Sequence, residues 1–250
     1  MAVRLLMGRR LCVAILLLLG PVFPRVVLAY AFTSVDFPGS IATVPHDLNN
    51  SGRIVGTYSV DRNNTAQSFS LDGNVYTTLD VFGSSYSQAH GINESGQIVG
   101  DYRDADGRFH GYLYSAGVVG AFDVQLPSAV ETFGRGINNH GVIVGGFRDA
   151  SGFIHGFVQT GGSYGPLDLG NGTFTQINGI NDVGDIVGLY HDGSRFHGFL
   201  SSGGAFTTIT VPGSSYTVAW GIDSAGRIVG DYFIGGNDRH GFLYSEGVFI

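Results

Sequence analysis

Short apolar and aromatic runs, separated by turn residues, follow one another along most of the chain. In one representative stretch, four such runs cover residues 85–92, 97–103, 108–115 and 119–126. Each run is bounded by Gly, Asp, Asn or Ser, which is the pattern of β-strands joined by tight turns. The sequence therefore predicts an all-β protein built from four-stranded antiparallel units.

One decapeptide pattern marks every unit. It reads GINESGQIVG from Gly91, and related copies begin at Asp47, Gly136, Gly179 and Gly221. The copies lie 42 to 45 residues apart. A period of this size with four strands per unit is typical of propeller blades. The five copies predict a five-bladed β-propeller of four-stranded antiparallel blades.

Within the decapeptide, an Asn or Asp is followed three residues later by Gly, and Ile-Val-Gly closes the motif. We expect the Asx side chain to hydrogen-bond the backbone two residues on and the first Gly to adopt a positive φ. Adjacent Ile and Val point to opposite faces of a strand, as expected for a sheet that is buried on both sides. The last Gly is expected to let neighbouring sheets approach closely.

The two ends of the repeat region match parts of one unit. Residues 31–40, AFTSVDFPGS, are similar to the fourth-strand segment AFTTITVPGS at 205–214, and the sequence ends at Ile250 within a fourth strand. The N-terminal strand is therefore predicted to join the last blade and close the ring, which leaves few exposed strand edges. A truncated six-bladed propeller and an open stack of repeats are the alternatives.

The first 29 residues differ from the rest of the chain. Arg4, Arg9 and Arg10 precede an apolar run over 11–20, and small residues lead up to Ala29. This order is typical of a secretory signal peptide, and the run is shorter than the roughly 20 residues of a spanning helix. We predict a signal peptide over 1–29 and a secreted propeller domain over 30–250, extracellular or periplasmic. An uncleaved membrane anchor is the alternative.

Composition narrows the classes of partner and of chemistry. The chain of 250 residues carries 41 Gly and a formal charge of −7, which becomes −11 when the four Arg of residues 1–29 are removed. Such an acidic chain is a poor partner for nucleic acid or for an anionic membrane surface. Cys12 is the only cysteine and lies in the predicted signal peptide. We expect neither a disulfide nor thiol chemistry in the mature domain.

The pattern G-I-N-x-x-G-x-I-V-G, followed by His-Gly-aromatic, resembles the HAF-repeat family of extracellular bacterial repeat proteins. The tripeptide occurs at His155, His197 and His240, and Tyr112 replaces Phe in the copy at His110. The resemblance extends from about residue 31 to residue 250. It implies an exported protein of short β repeats, and it implies no reaction or catalytic residues.

Two sets of side chains raise the question of a metal. The His column, which consists of His110, His155, His197 and His240, would form a ring in a propeller. Equivalent residues of separate blades lie too far apart for ligand distances of about 2 Å, so we expect each His to bond within its own blade. Asp101, Asp104 and Asp106 resemble part of a calcium loop that lacks its distal Glu. We predict no metal and no cofactor, with calcium at this loop as the alternative.

Two columns of the innermost strands vary from unit to unit and form the candidate ligand site. The mouth column consists of Tyr86, Glu131, Phe174 and Tyr216. The channel column, four positions later, consists of His90, Arg135, Asn178 and Trp220, with His46 in the first unit. At one mouth of the propeller channel, the aromatic rings could stack on sugars and the polar groups could hydrogen-bond them. Packing between blades is the alternative.

These observations favour a secreted, non-catalytic binding or surface-interaction module with carbohydrate as its ligand. Its partner is then a glycan or another envelope protein. A glycoside hydrolase or lyase is less favoured, because hydrolysis requires paired carboxylates and the mouth column offers only Glu131. A purely structural envelope protein is the further alternative.

Overall fold

A computed structural model of the chain describes residues 33–62, 65–236 and 238–250. The predicted signal peptide, Cys12 and the first residues of the predicted closing strand, Ala31 and Phe32, lie outside these residues. Every regular element within them is a β-strand, as the sequence predicted. In this described part of the chain, no helix is long and apolar enough to cross a membrane.

The strands fall into five units of four. The first unit contains β1 to β4, at Ala42–Leu48, Ile54–Ser59, Gln67–Asp72 and Val75–Thr78. The second contains β5 to β8, at Ser87–Ile92, Ile98–Arg103, Phe109–Ser115 and Val118–Phe122. The third contains β9 to β12, at Ala129–Ile137, Ile143–Asp149, Ile154–Thr160 and Ser163–Leu167. The fourth contains β13 to β16, at Thr175–Ile180, Ile186–His191, Phe196–Ser202 and Ala205–Ile209. The fifth contains β17 to β20, at Tyr216–Ile222, Ile228–Ile234, Asp238–Ser245 and Val248–Phe249.

Consecutive strands of each unit pair in antiparallel fashion, as predicted. The first three units form separate four-stranded sheets, whereas the last two share one eight-stranded sheet through a single parallel pair between Phe196 and Tyr216. Isolated parallel bridges join Ala66 to Tyr86 and Ile154 to Phe174 in the same manner. The start of a third strand therefore lies beside the start of the next unit's first strand.

The apolar core lies between successive units. In the first four units, the Val of Ile-Val-Gly projects onto the next unit, so that Val55 packs with Ala89, Ile92 and Tyr112. Val55, Val99, Val144 and Val187 are all fully buried. Ile98, beside Val99 in β6, is also fully buried, so the expectation that both faces of this strand are covered is confirmed.

The last Gly of the decapeptide has a different role from the one expected. A Cβ on Gly100 would overlap the carbonyl oxygen of Gln88 on β5 and lie 2.6 Å from the Tyr112 ring on β7. Gly145 and Gly188 face the same two groups in their own units, a first-strand carbonyl and a third-strand ring. This Gly therefore makes room inside its own sheet, because a large aromatic of the third strand leans over the second strand.

The linkers between units are fixed by one repeated hydrogen bond. The Val124 N–H donates to Thr132 Oγ1 at 3.0 Å, and Leu169 and Val211 donate in the same way to Thr175 and Thr217. Phe37 makes the corresponding bond to Thr43 at 2.9 Å and stacks on Tyr58. Residues 35–37 thus lie against the first sheet where a linker from a preceding unit would lie.

The outer faces of the first and last units are uncovered in this structure. Val229 is 52% exposed, although its four counterparts are fully buried, and Leu48 is 56% exposed. On the last sheet, β20 pairs with β19 at Ser245 and Tyr244, and the Ile250 N–H donates to the Leu243 carbonyl.

Candidate functional site

The channel column occupies β-bulges in the first strands. The pairing of β5 with β6 passes from Ala89 directly to Gly91, which leaves His90 as an extra residue. The same irregularity falls at His46, Arg135, Asn178 and Trp220. A bulge leaves its extra residue outside the ladder and redirects its side chain. The sequence signal for these bulges is the Gly that follows the column residue in the last four units.

Three channel-column residues from successive units meet in one cluster. His46 Nδ1 lies 2.8 Å from His90 Nδ1, and His90 Nε2 contacts the Arg135 guanidinium. Arg135 also lies 3.3 Å from Asp101, which is 1% exposed. His90 Nε2 also lies 3.2 Å from the same Asp101 carboxylate, so this ring nitrogen faces both a donor and an acceptor. Burial and then the nearby Arg135 charge lower the pKa of His90, in agreement with a neutral ring.

The remaining two channel-column residues are held separately. The Trp220 indole N–H donates to Asp231 at 2.6 Å, and Arg239 pairs with the same buried carboxylate. Asn178 donates from Nδ2 to the Ala219 carbonyl at 2.9 Å. The structure thus brings His90 and Arg135 together, and it ties Asn178 and Trp220 into the fourth and fifth units.

Mouth-column residues pack at the junctions between units. The Arg103 guanidinium lies over the Tyr86 ring at 4.8 Å, and Glu131 accepts from Arg148 at 2.8 Å. Phe174 and Tyr216 both contact the Phe196 ring. Of these contacts, only the one between Tyr216 and Phe196 joins two units, and the others lie within the second, third and fourth units. Each side chain nevertheless remains partly exposed.

A further column, which sequence analysis did not single out, fills these junctions. We name it the junction column, and it consists of the residue before each His of the His column: Phe109, Ile154, Phe196 and Arg239, with Ala66 in the first unit. Phe196 lies between Phe174 and Tyr216, at 5.1 and 5.4 Å between ring centroids. Phe109 contacts Tyr86 and Phe133. Phe109 and Phe196 thus each contact an aromatic ring of the next unit.

Members of the His column bond within their own units, as expected. His110 lies 3.0 Å from both Asp104 and Asp123, and His155 lies between Asp149 and Asp168. Burial alone would lower the pKa of His110, but the hydrogen bonds to the two carboxylates raise it. These histidines therefore fix the second hairpin of the unit to its outer strand.

The carboxylates of the possible calcium loop point to different partners. Asp101 faces Arg135 and His90, whereas Asp104 accepts from the Arg108 N–H and contacts His110. Within the residues that the structure describes, no group of three or more His, Cys, Asp or Glu side chains is arranged to hold a metal ion.

An open cleft of about 440 Å³ lies at the junction of the first and second units. Its lining includes Ile41, Val44, His46, Thr57, Ala66, Tyr86 and Gln88. The volume falls within the range of about 300–1,000 Å³ that small-molecule sites occupy. Of the eight residues that form the candidate ligand site, only Tyr86 lines this cleft. His46, which occupies the channel column in the first unit, lines it as well.

Solved structures with the same arrangement of sheets place the fold among β-propellers. AofleA from Arthrobotrys oligospora has a TM-score of 0.55 and 13% identity, with 88% of this chain and 74% of that chain covered. A mutant Aleuria aurantia lectin in complex with alpha-methyl-L-fucoside has a TM-score of 0.52 and 15% identity, with 83% and 75% covered. A TolB candidate from Agrobacterium tumefaciens has a TM-score of 0.60 and 14% identity, with 83% and 79% covered.

No family model matches the chain. No curated protein matches it either. At identities of 13–15%, the likeness to these solved structures extends to the fold.

Proposed function

We propose that this protein is a secreted, non-catalytic carbohydrate-binding module of the HAF-repeat type. Its site is the channel mouth formed by the mouth and channel columns: Tyr86, His90, Glu131, Arg135, Phe174, Asn178, Tyr216 and Trp220. The observation that carries the proposal is the variation of the bulge side chain among His, Arg, Asn and Trp on a repeated scaffold. Similarity to a propeller lectin that was solved with a fucoside supports this ligand class.

The state of the carboxylates supports binding rather than hydrolysis. Glu131 is paired with Arg148 and also accepts the Phe109 N–H. Asp101 and Asp231 are buried and lie against arginines. A glycosidase needs one carboxyl that keeps its proton and a second that faces the sugar. Carboxylates engaged by arginine favour neither role.

A glycan array with the mature chain tests this function. We expect selective glycan binding that Tyr86→Ala and Trp220→Ala each weaken by about tenfold, since aromatic anchors dominate such sites. Phe82→Ala is the matched control, because Phe82 is 54% exposed and belongs to neither column. A folded chain that binds no glycan would contradict the proposal. Polysaccharide turnover that Glu131→Gln abolishes would instead favour the hydrolase.

We further infer that the five units are five propeller blades and that the N-terminal segment completes the last one, with Ser34 and Val35 beside β19. By comparison with the fourth unit, where Ile209 pairs with Gly198, Val35 would lie opposite Gly241. β20 pairs with Tyr244 and Ser245 and leaves this position of β19 open. Closure in this register would cover both Val229 and Leu48.

An engineered disulfide between Val35→Cys and Gly241→Cys tests the closure. A Cβ on Gly198 would lie 3.5 Å from the Ile209 Cβ, which suits a disulfide. We expect the double variant to cross-link within one chain, as read by non-reducing mass spectrometry of the mature protein. The pair Val35→Cys and Gly204→Cys, which the register does not oppose, is the control. Absence of the first cross-link under oxidising conditions would mean that the ring stays open.

A further inference from the structure

The junction between the first and second units lacks the side chain that fills the other junctions. Phe109, Ile154 and Phe196 occupy the junction column in the next three units, whereas the first unit has Ala66. Ala66 forms the same parallel bridge, to Tyr86, that Ile154 and Phe196 form to Phe174 and Tyr216. The backbone geometry of the junction is therefore retained while the large side chain of the next three units is absent, and the cleft of about 440 Å³ lies there.

The walls of this cleft combine apolar and aromatic surface. Ile41 and Val44 line it and are 50% and 52% exposed. The Tyr86 ring is fixed in position, because the Arg103 guanidinium lies over it and Phe109 meets it edge-on at 5.7 Å between ring centroids. An aromatic side chain fixed beside exposed aliphatic groups suits the apolar face of a sugar ring.

A buried hydroxyl without a partner also lines the cleft. Thr57 is 6% exposed, and its Oγ1 has no hydrogen-bond partner among the described residues. Its position corresponds to Asp101 and Asp231, whose carboxylates are occupied by arginine. Buried polar groups of folded proteins almost always have a partner, and an exception calls for one.

His46 supplies a polar ring nitrogen at the same cleft. Its Nδ1 is engaged with His90 Nδ1, which leaves Nε2 as the ring nitrogen that can meet a ligand. Asp61 and Arg62 bring opposite charges to the lining. The cleft therefore offers a ring nitrogen, a hydroxyl and an apolar wall without an excess of either charge.

We propose that this cleft binds one neutral pyranose ring, with Tyr86 and Val44 against its apolar face and Thr57 and His46 as hydrogen-bond partners. The assignment rests on the proposed carbohydrate-binding function and gives the glycan a defined terminal subsite. In this assignment, the small side chain of Ala66 leaves this junction open, whereas the corresponding junctions of the other units are filled.

Restoring the missing ring tests the proposal. Ala66→Phe gives the first unit the residue that the second and fourth units carry, so its space at the junction has precedent in the same fold. Calorimetric titration with methyl α-L-fucoside, methyl α-D-mannoside, methyl β-D-galactoside and N-acetyl-D-glucosamine measures the affinity. We expect at least one of these sugars to bind the mature chain and Ala66→Phe to weaken that binding by about tenfold or more. Ile154→Phe is the matched control, since it introduces the same ring at a junction that is already filled.

Thr57→Val provides an independent variant that keeps the shape of the side chain. We expect it to preserve the melting temperature and to weaken sugar binding by about fivefold, because the unpartnered hydroxyl has no role in the free fold. If Ala66→Phe fails to fold, the effect of Thr57→Val on sugar binding tests the subsite instead. Sugar binding that Ala66→Phe leaves within about twofold, or that Thr57→Val leaves unchanged, would overturn the subsite while carbohydrate binding stands. A chain that binds none of the four sugars and no array glycan would overturn both.

Discussion

Replacing Gly100 by alanine should lower the free energy of unfolding by at least about 3 kcal/mol. The added methyl group would overlap the Gln88 carbonyl oxygen and press on the Tyr112 ring, which is fully buried. Neither group can move cheaply, because Gln88 belongs to the β5–β6 ladder and Tyr112 packs against the first unit. Urea denaturation followed by circular dichroism measures the change.

Gly120→Ala is the control for this substitution. Gly120 lies in β8, and a Cβ there would meet only the Leu113 carbonyl oxygen at 3.9 Å, an ordinary contact. We expect its free energy of unfolding to stay within about 0.5 kcal/mol of the parent. If Gly100→Ala cost as little as this control, β5 would have to separate freely from β6 and the Tyr112 ring would have to shift at that point, and the structural role assigned to this Gly would be wrong.

Local patterns were sufficient to predict the repeating unit. Turn chemistry and strand periodicity act within a few residues, so the sequence located β6 and β7 to within one residue. The turn prediction is confirmed at Asn138, whose Oδ1 accepts the His140 N–H two residues on, and Gly141 has a φ of +75°. At Asn93 the Oδ1 instead accepts the Gln97 N–H, four residues on. Comparison among five copies separates what the turn requires from what merely occurs once.

Features that depend on pairing between strands were not predicted in detail. The bulge at His90 is a property of the register of β5 against β6, and no periodicity within β5 reveals it. The role of Gly100 depends on a ring that lies on β7. The partners of the mouth column come from a different strand and often from a different unit, as the contact between Phe196 and Tyr216 illustrates. The columns of the repeat thus showed which positions vary between units, but they did not predict which side chains those positions contact.

The open junction at Ala66 depends both on a local sequence change and on the pairing of strands from two units. The first unit departs from the His-Gly-aromatic pattern, with Gln67-Ser68-Phe69 in its place. In a repeat protein, a departure in one copy changes one junction while the others preserve the scaffold. The consequence for the cleft becomes visible only when the third strand of one unit is seen beside the first strand of the next.

The second large effect concerns a ladder of side-chain amides that links all five units. Asn49, Asn93, Asn138 and Asn181 each donate from Nδ2 to a backbone carbonyl of the next unit, at 3.1 to 3.2 Å. Asn138→Asp should destabilise the fold by about 2–4 kcal/mol at neutral pH. The carboxylate keeps the bonds that Asn138 Oδ1 accepts from His140 and Val142, but it sets a buried negative oxygen against the Asn181 carbonyl.

The pH dependence and a reversed substitution make this prediction specific. The introduced carboxyl can donate again when it is protonated, so the fold raises its pKa above the unfolded value of about 3.9. The destabilisation should therefore be absent below that pH and develop as pH rises through the folded-state pKa, which urea titrations between about pH 3 and 8 measure. Asp223 ends the ladder, is partly exposed and pairs with Arg227, so Asp223→Asn should change stability by less than about 1 kcal/mol. A cost at Asn138→Asp that does not vary with pH would mean that loss of shape, rather than loss of the amide donor, weakens the junction.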